Sequence, residues 1–394
     1  MIYKNDCTSP KGVLRIPKEY LEQLNEEGLE SLPEMIQLLV NQAMQIERDK
    51  YLNAKPYERS DARKGHANGY KPKTVKTRVG EVTFDIPQVR EGGFYPEALD
   101  KGMRSERALQ MALAEMYVQG VSTRKVAAIT EKLCGTEVSA SQVSRAAEQL
   151  DEMLEKWRKR PLGEVVYLYL DARYEKVRQA GSVRDAAILI ASGVKRDGKR
   201  SILGVSVSLS EAETHWRTFL EGLIQRGLYG VQLIVSDNHA GIQSARKAVF
   251  TGIPWQRCQF HLQQNAGQYV PKVGMRVEVA EDIRSIFNAP DRETAEIFLK
   301  KAVEKYELLA PKLADWMENN LPEGFSIFSF PREHQRKLRT SNCLERLSQE
   351  VKRRTRVVRV FPNDQSCLRL ISAILMETNE DWEYGRLYLR IESS

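Results

Sequence analysis

Two aspartates that each close a run of apolar residues carry the clearest chemical signal in this 394-residue sequence. VVYLYLD (165–171) ends at Asp171 and VQLIVSD (231–237) ends at Asp237. A lone aspartate after a strand is most often a cap or turn residue. A pair brought together, joined by a third carboxylate, can instead hold hard divalent cations such as Mg²⁺, which prefer oxygen ligands and keep several waters. Two such ions activate the attacking oxygen and stabilise the leaving oxygen of an in-line phosphoryl transfer, the chemistry that cuts a DNA strand and joins its 3′-hydroxyl elsewhere. The third carboxylate must come from another part of the chain. Glu345, in a strongly basic helix, is the natural candidate; Glu350 in the same helix and Glu333 just before it compete, and surface salt bridging explains any of the three by default.

Residues 332–359 hold ten Lys or Arg against Glu333, Glu345 and Glu350. A helix face in plain solvent mixes its charges more evenly, so this one reads as a clamp on phosphate backbones. Arg346, Lys352, Arg353, Arg354 and Arg356 are the expected DNA contacts. Cys258 and His261 form a Cys-x-x-His pair. A structural zinc site needs about four ligands, and no second Cys/His pair lies near in sequence. The pair therefore reads as hydrogen-bonding or packing beside the reacting centre, with His261 near the scissile phosphate as the sharper version. His239, two residues after Asp237, reads equally as a phosphate contact or a helix start.

Periodicity supplies the elements that must position these residues. VVYLYLD, then two strands around the Asp197-Gly198 turn within 185–210, give three antiparallel strands. An amphipathic helix follows over 210–227, with Ser210 and Glu213 in capping-box spacing. VQLIVSD is a fourth strand, AGIQSARKAVF a helix, and IPWQRCQFH (253–261) a short strand and turn. The order strand-strand-strand-helix-strand-helix-strand is that of a ribonuclease H-like core, in which the first and fourth strands lie side by side and parallel. Asp171 and Asp237 would then be neighbours. The fold expected is α/β: a mixed five-stranded sheet with helices, interrupted by an α-helical insertion and preceded by a mostly helical DNA-binding region.

The expected divisions are a helical region (1–58), a basic arm and short β segment (59–105), a helix-turn-helix-like region (106–160), the first part of the core (161–264), the insertion (265–335), and the second part of the core (336–394). The arm holds seven Lys or Arg between Arg59 and Arg78 against Asp61 alone, with no helical apolar stripe, and reads as an exposed arm or solvated linker. Within 106–160, Thr123 begins a helix after Gly120, and Ser139 is a plausible N-cap of the next. A second helix entering the major groove and a plain helical bundle both fit that pattern.

Composition sets the outer bounds. The hydrophobic share of 42% suffices for real cores, and 60 basic against 53 acidic residues leave a net charge of +7, a mild hint of polyanion binding. Five scattered cysteines form no CxxC pair or even-numbered framework, which favours a reducing compartment. The N-terminus lacks a signal-peptide core and no apolar run nears membrane-spanning length. A soluble cytosolic protein is expected.

The blocks around the acids also resemble a known family. LDARYEKVR (170–178), SDNHAGI (236–242), WQRCQFHLQQN (255–265) and SNCLERLSQEVKRRTRVVRVFP (341–362) are similar to the signature blocks of Mutator-type transposases of bacterial insertion sequences. TRVGEVTFDIPQVREGGFYP (77–96) and GVSTRKVAAI (120–129) resemble the family's N-terminal blocks. The blocks occur in matching order along nearly the whole chain. The resemblance implies an Asp-Asp-Glu triad of Asp171, Asp237 and Glu345, since Glu345 falls at the family's NxxER position, and a helical insertion before the glutamate. Ser348 departs from a position often held by Asn, and is expected to leave the catalytic acid untouched. The resemblance also implies terminal inverted repeats and target DNA as partners, a dimer or higher oligomer on DNA, and transposition through a copied circular intermediate. Mg²⁺ or Mn²⁺, in two ions, is the expected cofactor. Other readings of the residues are a ribonuclease H-like nuclease or resolvase that cuts without joining, and a catalytically silent DNA-binding regulator.

Overall fold

The computed structural model describes residues 18–55, 58, 62–90 and 93–391. Cys7, Arg59 and Asp61 of the sequence reading lie outside them. The chain divides into two compact units, one of residues 1–117 and 121–149, the other of 118–120 and 150–394.

In the first unit, α1 (Lys18–Glu27) and α2 (Leu32–Leu52) are separated by a 3₁₀ turn at Gly28–Ser31. Gly28 takes φ +62 there, which ends α1 because left-handed backbone cannot continue a right-handed helix. β1 (Ala67–Thr77) and β2 (Gly80–Val89) form an antiparallel hairpin. Residues 67–77 are thus a strand, where the sequence reading expected an arm or linker. That half of the hairpin is buried only next to the turn: Thr77 is buried and Val75 joins a small core with Met44, Val82, Phe84 and Ile86, while residues 67–72, Lys71 among them, stay exposed. A strand buried only at one end shows little apolar alternation. Then come α3 (Arg107–Val118), α4 (Thr123–Cys134) and α5 (Ala140–Glu148), packed on Leu109, Leu113, Val126 and Val143. Ser139 caps α5 in a complete capping box with Gln142.

The second unit starts with α6 (Asp151–Arg158), followed by β3 (Gly163–Gln179), β4 (Ser182–Lys195), β5 (Arg200–Ser208), α7 (Glu213–Gln225), β6 (Leu228–Tyr229), β7 (Leu233–Ser236), α8 (Ala240–Val249) and β8 (Trp255–Arg257). The sheet order is β5-β4-β3-β7-β8. The β3, β4 and β5 strands are antiparallel, whereas β7 is parallel to β3 and β8 to β7. Two-residue β6, beside the start of β3, is an addition to the five strands expected. α7 and α8 cover one face through Trp216, Leu220, Leu223, Ile242 and Ala245.

After β8, α9 (Gln259–Ala266), α10 (Arg276–Phe287), α11 (Arg292–Glu307) and α12 (Pro311–Asn320) build a separate core with Phe325 at its centre. The segment 253–261, expected to be strand and turn, is a strand running straight into this helical body. α13 (Arg332–Leu338), α14 (Asn342–Thr355) and α15 (Asp364–Tyr384) return to the sheet. α15 packs on β5 and β3, and its buried Asn379 Oδ1 accepts from Ser201 Oγ at 2.9 Å and the Ile202 amide at 2.8 Å.

Two local expectations are corrected. The N-cap of α7 is Ala212, without a side-chain cap, so the Ser210–Glu213 box does not form; residue 212 is extended, and Ser210 Oγ accepts instead from the Ala212 amide at 3.4 Å. β3 does not stop at Asp171 but runs eight residues further, to Gln179. Its outer half pairs with β4 as far as Ser182 and bridges Phe361 beyond α14. Backbone pairing on both sides sustains the strand where its apolar run has ended.

The expected Asp197-Gly198 turn is present, with Gly198 at φ +78. The Tyr388 and Leu389 amides both donate to its carbonyl, at 3.0 and 3.1 Å, and a Cβ at this position would lie 1.9 Å from the Leu389 carbonyl oxygen. Gly198→Ala should therefore combine left-handed strain with a backbone clash, costing about 1–3 kcal/mol. A fall of roughly 3–10 °C in the melting temperature followed by circular dichroism is expected; an unchanged transition would rule out this docking of the C-terminal segment.

Candidate active site

The β3–β7 register decides where the two aspartates stand. Tyr167 pairs with Leu233, Leu168 with Ile234 and Tyr169 with Val235. Asp171 and Asp237 follow Tyr169 and Val235 by the same two positions, so they are level, Asp171 within β3 and Asp237 one residue past the end of β7. Alternation puts both on the face opposite α7 and α8: Leu168, Leu170 and Ile234 enter the core beneath those helices, while Tyr167 and Tyr169 point the other way, to His334 and the Lys337 carbonyl. α14 occupies that second face.

Three contacts fasten α14 along β3. Ser348 Oγ donates to Asp171 Oδ2 at 3.3 Å. Arg173 donates to the Ser348 carbonyl and pairs with Glu175. Thr355 Oγ1 donates to Glu175 Oε1 at 2.9 Å. Asp171, Arg173 and Glu175 alternate onto one face of β3, which explains the strand's continuation past the first aspartate: it is the track on which the glutamate helix lies. Ser348, set aside in the sequence as a departure from the family block, thus touches one of the acids directly. No sequence pattern signals this, because a hydroxyl at that helical position looks like any surface serine.

Glu345 and its competitor have different surroundings. Glu350 accepts from Arg353 Nε and Nη2 at 2.8 and 2.7 Å and from Arg354 Nε at 2.7 Å. Hydrogen bonds from Arg353 hold its carboxyl at about 2, against the opposing effect of burial and with Arg354 adding. Glu345 Oε1 is buried and, among the described residues, has no hydrogen-bond partner; burial raises its pKa, with His261 opposing. Glu333 opens α13, away from α14's stripe of Glu345, Ser348 and Lys352 at i, i+3 and i+7.

His261, in the first turn of α9, stands among these acids. The Cys258 sulfur pushes its imidazole up to about 9, with burial opposing and the charges of Asp237 and Glu345 adding. Burial pushes the Asp171 carboxyl up to about 6; the His261 charge opposes this and the Asp237 charge adds to it. Cys258 is fully buried. Burial raises its thiol, but partnership with His261 and Ser341 outweighs that and leaves it below the usual range. The Ser341 amide, at the start of α14, donates to Cys258 Sγ at 3.4 Å, and the Gln259 amide donates to the Arg339 carbonyl at 2.9 Å. The Cys-x-x-His segment therefore grips the entry of the glutamate helix, a hydrogen-bonding role as expected.

Ligand atoms of Cys258, His261 and Glu345 lie within 4.8 Å of one another, while Asp171 and Asp237 fall outside that set. A soft thiolate suits zinc and the carboxylate oxygens suit Mg²⁺ or Mn²⁺, so Glu345 is the member common to both donor sets. His239 caps α8, accepting from the Gly241 amide, and lies 3.5 Å from Glu211; it serves the helix start.

The basic residues divide. Arg346, Lys352, Arg353 and Arg356 are exposed. Arg354, expected on DNA, is 8% exposed and bridges Glu350 and Glu377. Its charge is already paired with these two carboxylates. Because Glu350 is depressed in the folded state, the stability it contributes is fully present above the unfolded carboxyl pKa of about 4.3 and is lost as pH falls toward 2. Glu350→Gln should cost about 1 kcal/mol at neutral pH and flatten the decline of the melting temperature between those limits. Parallel acid curves for the two proteins would refute the pairing.

Comparison with known proteins agrees with the resemblance seen in the sequence. The family described as "Transposase, Mutator family" matches residues 15–385. The chain is 55% identical to the transposase for insertion sequence element IS406 of Burkholderia multivorans, over 93% of this chain and 95% of the relative. Identity is 42% to the transposase for ISRM5 of Rhizobium meliloti, over 92% and 91%. It is 38% to the transposase for IS256 in transposon Tn4001 of Staphylococcus aureus, over 89% and 91%. A chain from a simian T-cell lymphotropic virus intasome aligns with 50% of this chain and 67% of its own at 13% identity and a TM-score of 0.18, too low to bear on the fold. On the family match and these identities, the chain belongs to the Mutator family of transposases.

Proposed function

We propose that this protein is an insertion-sequence transposase that binds the terminal inverted repeats of its element and cuts and joins DNA through Asp171, Asp237 and Glu345. The observation that carries the reading is the level placement of the two aspartates on parallel strands, with an unpartnered glutamate oxygen on the helix laid across them. Glu350 is the weaker third acid because two arginines already neutralise it.

The donor set fits divalent metal. Three carboxylates supply hard oxygens, and a buried glutamate oxygen without a partner is costly unless a cation meets it. Bound Mg²⁺ or Mn²⁺ would supply Lewis acidity to the scissile phosphate and the attacking hydroxyl. With two ions, each needs only some of the acids, so the three carboxylates need not converge on one point. Ser348 Oγ holds one Asp171 oxygen in place. His261 brings positive charge to the phosphate. Lys352 extends the Glu345–Ser348 stripe outward, where with Arg346, Arg353 and Arg356 it grips the flanking backbone.

The ribonuclease H-like assignment of the core, the six-part division of the chain, end recognition by the N-terminal helices, assembly as a dimer or higher oligomer on DNA, and a cytoplasmic, nucleoid-associated setting belong to the same proposal. Strand order β5-β4-β3-β7-β8 supports the first. Among the described residues no helix is long and apolar enough to cross a membrane.

Asp171→Ala, Asp237→Ala and Glu345→Ala should each lower strand transfer on an oligonucleotide of the element's end by at least about 10³-fold while retaining end binding; Glu350→Gln should keep most activity. Wild-type-like transfer in the three alanine variants would sink the triad, and cleavage without joining in the wild type would favour a resolvase. Lys352→Gln and Arg356→Gln should each reduce the slope of log affinity against log salt by about 0.9. Arg354→Gln should lower thermal stability and leave that slope alone; a slope change there would restore it to the DNA-contacting set.

A further inference from the structure

A cavity of about 510 Å³ opens in the N-terminal unit between the last turns of α2 and the beginning of the β1–β2 hairpin. Its lining includes Arg48, Lys55, Arg63 and Arg90 against one described carboxylate, Asp49. Arg48 is 6% exposed. Its guanidinium lies 5.2 Å from the centre of the Tyr70 ring, and Nη2 donates to the Tyr70 hydroxyl at 3.4 Å. Nε is 3.8 Å from Asp49 Oδ1, beyond hydrogen-bond reach, and has no hydrogen-bond partner among the described residues.

A buried guanidinium with a donor to spare is costly unless an anion meets it. Asp49 is the one described carboxylate beside it and is shared electrostatically with Arg63, so it balances one of the cavity's cations. Arg63 donates to the Gly65 and Glu58 carbonyls, which are neutral acceptors, and its charge acts on the same Asp49 carboxylate. The C-terminal end of α2 brings a partial negative charge of about half a unit, which four cations outweigh. Lys55 and Arg90 are exposed on the rim. The excess is positive, and the planar arginine fork matches phosphate oxygens.

We propose that this cavity is a socket for one phosphodiester of duplex DNA, with Arg48 as its buried donor and Lys55, Arg63 and Arg90 as its rim. The inference rests on the DNA-binding reading above and adds where the N-terminal unit holds the backbone. A contact of this kind positions the protein on the duplex without reading sequence.

The test is binding of the full-length protein to a fluorescent duplex of the element's end between about 50 and 200 mM salt, using Arg48→Gln, Lys55→Gln, Arg90→Gln and the Arg48→Gln/Arg90→Gln double variant. Each single variant should weaken binding severalfold and lower the salt slope by up to about 0.9. The double variant should lose no more slope than that, since both side chains serve one phosphate. Lys55 and Arg90 are exposed, so misfolding confined to Arg48→Gln leaves the test intact. Unchanged slopes in Lys55→Gln and Arg90→Gln, with the wild type binding, would overturn the socket alone; additive slope losses would overturn its single-phosphate form. A wild type that never binds the duplex would overturn the functional reading and the socket with it. Inorganic phosphate that stabilises the wild type but not Arg48→Gln, with DNA slopes unchanged, would assign the cavity to a free anion instead.

Discussion

Adjacent strands lie about 4.8 Å apart, and carboxylates brought level on them repel each other. The β3–β7 register imposes this on Asp171 and Asp237, and α14 adds Glu345 on the same face. Within the chain, the opposing charge comes from His261, whose imidazole is held up by Cys258 and the surrounding acids. Burial nevertheless leaves Asp171 well above the ordinary aspartate range. An acid cluster in this condition is held together against its own repulsion.

Keeping that cluster assembled falls to contacts that do no chemistry themselves. Arg173 and Glu175 tie β3 to α14 through Ser348 and Thr355. Cys258 and Gln259 hold the helix entry through the Ser341 amide and the Arg339 carbonyl. Arg354 closes the far side by pairing with Glu350 and Glu377. The contacts of β3 and of Cys258 and Gln259 join segments far apart in the chain, with the helical body of α9–α12 between them. That body has its own core, so it can form without distorting the sheet, and its cost to the site is only the length of chain it inserts.

The basic helix shows why charge counting needs geometry. Ten cations in 332–359 read alike in sequence, yet burial separates Arg354, which neutralises acids inside the protein, from Lys352 and Arg356, which face outward. Glu350 is explained by the same contacts: it is the counter-ion of its own helix. The N-terminal basic stretch carries the opposite lesson. Read as a linker for want of apolar alternation, it is in large part a strand buried only at its end next to the turn.

Residue order and type alone determined the succession of strands and helices, the parallel placement expected of the first and fourth strands, the turn at Asp197-Gly198 and the helical nature of the insertion. These depend on local periodicity and turn chemistry, which a sequence displays directly. Tertiary structure decided where β3 ends, which arginine is buried, which glutamate is free of cations, and that Ser348 meets Asp171. Those outcomes depend on contacts between residues up to 184 positions apart, as for Val177 and Phe361, and no local pattern encodes a partner so distant.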